Sequence, residues 1–86
     1  MITSDQIRAG RALLRWSAQK LADKSGVSWK TIQRMETPDT LPSVSLGNVI
    51  KVRDILELAG VEFIDEDTRG GPGVRFQAQA KNQRPR

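Results

Sequence analysis

Between residues 28 and 35 the chain sets out Ser28, Trp29, Lys30, Thr31, Gln33 and Arg34, a run of hydrogen-bond donors and positive charge with no acid before Glu36. Side chains of these types bind anions and polar edges non-covalently. Elsewhere the chain offers little for covalent chemistry. It has no histidine and no cysteine, which removes the usual general base, the thiolate and the commonest metal ligands. No set of nucleophile, base and oxyanion donors can be assembled from the remaining residues, so an enzyme is not expected. Two stretches imitate sites. Gly70-Gly71-Pro72-Gly73 resembles a phosphate-cradling loop but lacks the Lys-Ser/Thr ending and the helix that should follow, and reads as an ordinary loop. Asp65, Glu66 and Asp67 lack the alternating ligand spacing of a calcium loop, and read as a solvated acidic turn. Neither cofactor nor metal is expected.

The donors need a scaffold, and residues 17–36 read as two short helices joined by a tight turn. Ser17 serves as the first N-cap, Leu21 and Ala22 turn inward, and Gly26 supplies the left-handed residue that ends the helix. Val27 plugs the corner. From Ser28 as the second N-cap, Ile32 and Met35 fall on the buried side, leaving Trp29, Lys30, Gln33 and Arg34 outside. Helices crossing steeply after so short a turn approach closely, so Ala22 and Ser25 must be small.

Leu21, Ala22, Ser25-Gly26-Val27-Ser28, Thr31-Ile32 and Met35-Glu36 resemble, in type and spacing, the phage repressor and Cro type of DNA-binding domain, the XRE family. The resemblance covers about residues 3–60, and residues 59–63 (AGVEF) are similar to the end of small bacterial regulators of this type. It implies a helix-turn-helix whose second helix enters the major groove of double-stranded DNA while the first lies across the backbone. Lys30 and Arg34 are then candidates for guanine N7 and O6. Gln33 suits adenine or a phosphate, Thr31 a phosphate or a thymine methyl, and Trp29 the groove wall, with Ser28 opening the helix beside them. The loop after Glu36 would lie against the backbone and offer Thr37, Thr40 and Ser43 to phosphates. Arg11 of the first helix would pair with Glu36 and so orient the reading helix. The chain departs from the family at Ala18, where a Gln commonly binds phosphate; Gln19 stands next to take that contact.

Composition agrees with a polyanionic partner. The 86 residues suit one small domain with formal net charge +4 and pI about 10.1. Residues 1–36 hold seven Lys or Arg against three acids, while residues 37–86 balance at seven and seven. The excess therefore coincides with the motif. Thr3-Ser4-Asp5-Gln6 has capping-box spacing, and a first helix should run to about Trp16 with Ile7, Ala9 or Gly10, Leu13, Leu14 and Trp16 inward. Prolines 38 and 42 make a loop. A last helix from Ser45 to Ala59, with Leu46, Val49, Ile50, Val52, Ile55, Leu56 and Ala59 as its core side, suggests more than one buried face. Residues 61–64 and 74–76 read as a hairpin whose edges invite pairing with a second copy. Residues 77–86 are polar and basic, read as a disordered tail.

The expected architecture is a mainly α four-helix bundle, residues 1–60, followed by a β-hairpin, residues 61–76, for which two roles stay open: a dimerisation element paired with a second copy, or strands folded back on the chain's own helices. No apolar run spans a bilayer and no signal peptide precedes the first helix, so the cytoplasm is the expected compartment. Two functional classes follow. One is a sequence-specific DNA-binding transcriptional regulator, a repressor or autoregulator, acting as a homodimer. The other is an antitoxin-like module that uses Trp29 and the acidic C-terminal part to hold a protein partner such as a toxin. The absence of acid between Ser28 and Met35 favours DNA.

Overall fold

The computed structural model describes residues 2–78. Helix α1 (Ser4–Leu13) starts as its sequence predicts: Thr3 Oγ1 accepts from Gln6 N at 3.1 Å and Gln6 Oε1 accepts from Thr3 N at 2.8 Å, closing the capping box. Its other end comes three residues earlier than the apolar periodicity predicts. Arg15 turns into left-handed backbone at φ 58°, and Trp16 N donates to Arg11 O at 3.1 Å while Arg15 N donates to Ala12 O at 2.9 Å. Those two bonds form a Schellman ending, which ordinarily recruits glycine. Arg15 gives no such signal, so the pattern runs through it.

The motif helices α2 (Ala18–Ser25) and α3 (Trp29–Met35) have the predicted caps. Ser17 Oγ accepts from Lys20 N at 3.0 Å, Gly26 ends α2 at φ 72°, and Ser28 Oγ accepts from Thr31 N at 3.2 Å. Leu21, Ile32 and Met35 are wholly buried and Val27 fills the corner. A single 3₁₀ turn, Leu41–Ser43, leads to α4 (Leu46–Leu58), capped by Ser45 and stopped before Gly60 at φ 113°. One face of α4 is buried, through Val49, Val52 and Leu56. The second buried face is not formed: Leu46 stays 55% exposed and Ile50 39%. Among the described residues no further layer lies over them.

Strands β1 (Val61–Ile64) and β2 (Gly73–Phe76) pair antiparallel, Val61 opposite Phe76 and Phe63 opposite Val74. Alternation puts those four residues on one face. That face packs on the chain's own helices. Val61 is fully buried, Phe63 and Val74 lie against the core, and a Cβ placed on Gly10 would meet Val61 Cγ1 at 3.4 Å, so Gly10 rather than Ala9 faces inward. Gln6 Nε2 fastens the hairpin to α1 by donating to Ile64 O at 3.1 Å and Gly73 O at 2.9 Å. Most of this apolar face is therefore covered by the chain's own helices, while Phe76 at its end stays 39% exposed.

Asp65, Glu66 and Asp67 lie in the exposed turn, where Asp67 Oδ1 accepts from Arg69 N and Gly70 N. Order continues past β2: Gln77 N donates to Gly60 O at 2.8 Å and its amide to Glu57 O and Val61 O. A disordered tail cannot begin at Gln77, and residues 79–86 of that expected tail lie outside the described residues. The result is a mainly α domain of four helices with a two-stranded C-terminal hairpin, its core continuous across residue 60. Among the described residues no helix is long and apolar enough to cross a membrane.

Candidate nucleic-acid interface

The orientation of α3 is fixed by Arg11. Its Nε donates to Glu36 Oε2 at 2.7 Å and its Nη2 to Glu36 Oε1 at 2.9 Å, a two-pronged pair, while Nη1 reaches Trp16 O at 3.0 Å. Glu36 is the C-cap of α3 and Trp16 stands before α2, so one guanidinium carried by α1 binds two other segments. The hydrogen bonding to Glu36 raises the Arg11 pKa, against the opposing effect of burial and with added charge attraction. The pairing expected from the resemblance is present.

With Ile32 and Met35 buried, α3 turns Trp29, Lys30, Gln33 and Arg34 outward, and Trp29 is 46% exposed. Lys30 and Arg34 lie four residues apart on one stripe, as do Trp29 and Gln33. Among the described residues neither cation has a carboxylate partner. The outer face of α3 is thus a short uncompensated basic surface with an aromatic edge. Ser28 Oγ donates to Thr31 Oγ1 at 2.9 Å, which leaves the Thr31 proton available to an outside acceptor.

The loop hydroxyls are engaged inward. Thr37 Oγ1 donates to Gln33 O at 3.0 Å and Thr40 Oγ1 to Arg34 O at 2.6 Å, capping carbonyls that the end of α3 leaves without amide partners. Ser43 Oγ donates to Thr40 O at 2.7 Å and accepts from Arg34 Nη2 at 2.9 Å. Thr37, Thr40 and Ser43 therefore lie beside the α3 face, with their protons directed to backbone carbonyls rather than outward. Gln19 is exposed on α2, but its amide donates to Asp23 Oδ1 at 2.9 Å and so keeps an acid at hand.

The chain matches no protein-family model and no curated protein.

Two features of the site escape the sequence. Trp16 packs against the core, as expected, but its ring also carries Lys20 Nζ at 5.7 Å and Lys24 Nζ at 5.9 Å from its centroid. Four-residue steps from 16 through 20 to 24 were the available signal. The Arg34–Ser43 bond joins residues nine apart through a proline-bearing loop, and no periodicity marks it. Among the described residues no group of His, Cys, Asp or Glu is placed to hold a metal ion.

Proposed function

We propose that this protein is a sequence-specific DNA-binding regulator of transcription, a repressor or autoregulator of the XRE kind, that places α3 in the major groove and rests α2 on the backbone. The observation that carries the reading is the outer face of α3: Trp29, Lys30, Gln33 and Arg34 exposed together, unpaired with any acid among the described residues, on a helix held by the Arg11–Glu36 pair. A guanidinium or ammonium presented this way matches guanine N7 and O6, and Gln33 matches adenine. Thr31 adds a hydroxyl donor and Trp29 apolar contact. The regulator works in the cytoplasm as a dimer, because one motif reads about half a site and discriminates too weakly against a genome.

Selection of bound duplexes from a random pool tests this directly: the wild-type protein enriches a two-fold-symmetric site. Against that site Arg34→Ala loses about 1–3 kcal/mol of binding, and Lys30→Ala a similar or smaller amount, with the thermal unfolding midpoint unchanged. Absence of any enriched sequence would leave the protein-partner reading, in which the half-exposed Trp29 anchors a polypeptide.

A further inference from the structure

Arg34 is held at both ends by the loop that follows it. Its carbonyl accepts from Thr40 Oγ1 at 2.6 Å, its guanidinium Nη2 donates to Ser43 Oγ at 2.9 Å, and Ser43 Oγ in turn donates to Thr40 O at 2.7 Å. These contacts close a ring: Arg34 side chain, Ser43 hydroxyl, Thr40 backbone and hydroxyl, Arg34 backbone. The 3₁₀ turn Leu41–Ser43 keeps it shut, with Ser43 N on Thr40 O at 3.0 Å and Val44 N on Leu41 O at 3.0 Å, while Leu41 and Val44 rest on the core.

We infer that Ser43 is a positioning residue, one that fixes the Arg34 side chain in the pose from which it reads a base. The inference rests on the DNA-binding reading above and names what sets specificity within it. Three chemical points support it. An exposed arginine ordinarily samples many rotamers, and a partner that holds one of them before binding lowers the ordering cost of the complex. A hydroxyl orients the guanidinium without neutralising it, whereas a carboxylate at position 43 would compete with DNA for the charge. Among the described residues only one of the five guanidinium N–H groups is taken, so a forked pair toward guanine remains open. Ser43 itself has no proton left for a phosphate, because its hydroxyl hydrogen lies on Thr40 O.

The experiment compares wild type, Ser43→Ala, Ser43→Thr, Arg34→Ala and the Arg34→Ala/Ser43→Ala double variant. Each full-length protein is titrated with the selected duplex, with single-base variants of it, and with a scrambled duplex. The expected result is that Ser43→Ala lowers the ratio of specific to scrambled affinity about three- to tenfold. The loss appears at the base pair whose change matters least to Arg34→Ala, is absent in the Arg34→Ala background, and is restored by Ser43→Thr, which keeps the hydroxyl. A change in thermal stability alone would not move this ratio. An equal loss on every duplex, or a loss that persists without Arg34, would make Ser43 a phosphate ligand and overturn the inference. If Arg34→Ala weakens specific binding while Ser43→Ala does not, the inference falls and the DNA reading stands. If the wild type enriches no sequence, both fall.

Discussion

Arg11 and Arg15 are four residues apart on or just past α1, yet their substitution should act in opposite directions. Arg11 binds Glu36 by two bonds and Trp16 O by a third, with 24% and 10% of the two charged side chains exposed. Arg11→Met strands the Glu36 carboxylate and should cost about 2–4 kcal/mol, below the fully buried range because Arg11 keeps contact with water. Adding Glu36→Leu should recover most of that loss in chemical denaturation; a double variant no better than the single would mean that the Trp16 contact dominates. Arg15 occupies left-handed backbone at φ 58° and has no ion-pair partner among the described residues. Arg15→Gly removes the steric cost and should raise stability by about 0.5–1 kcal/mol, read as a higher thermal midpoint. The first pair was legible because charge type and spacing mark it. Arg15 was not, since an arginine carries no indication that the backbone beneath it has changed hand.

The elements themselves were largely readable. Each of the four α-helices has a Ser or Thr N-cap with the right residues after it, and Gly26 and Gly60 close two helices as glycine does. What failed was the width of the side that α4 buries, because that depends on what else is available to cover it. Leu46 and Ile50 have the composition of a core and the position of a surface. The hairpin shows the same dependence: its inner face found α1 and α4, and its outer face is held by Arg75, which donates to Glu62 through Nε at 3.0 Å and Nη2 at 3.1 Å. The hydrogen bond from Arg75 holds the Glu62 carboxyl below its ordinary pKa, against the opposing effect of burial and with charge attraction adding to it. A depressed folded-state pKa contributes stability above the unfolded pKa and loses it as pH falls through the folded value. The protection of the amides of residues 61–64 and 73–76, taken relative to the intrinsic exchange rate at each pH, should therefore fall slightly as the pH drops below the usual carboxylate range, and Glu62→Gln should remove that acid-dependent step; an unchanged protection profile would sink the assignment.

At the scale of the whole molecule, the hairpin is a structural part of the helical domain. Truncation after Gly60 deletes Val61 and Phe63 from the core and both carbonyls that receive Gln6 Nε2. Losing roughly 3 kcal/mol of apolar burial should lower the unfolding midpoint by about 10–20 °C. A truncated chain as stable as the full one would refute the shared core. Sequence patterning could locate the strands but not this dependence, because the contacts linking them to α1 span 58 and 67 residues. The same distances govern what happens on the ribosome. Gln6 emerges long before its partner Gly73 exists, and at about 5–20 residues per second the intervening 67 residues take about 3–13 s to add. Helix pairs form in microseconds to milliseconds, so α2 and α3 can dock while the nascent chain still lacks the strand that closes its core. For those seconds the underside of α1 is open to chaperones and to neighbouring nascent chains, and slower translation of residues 61–73 would hold it open longer.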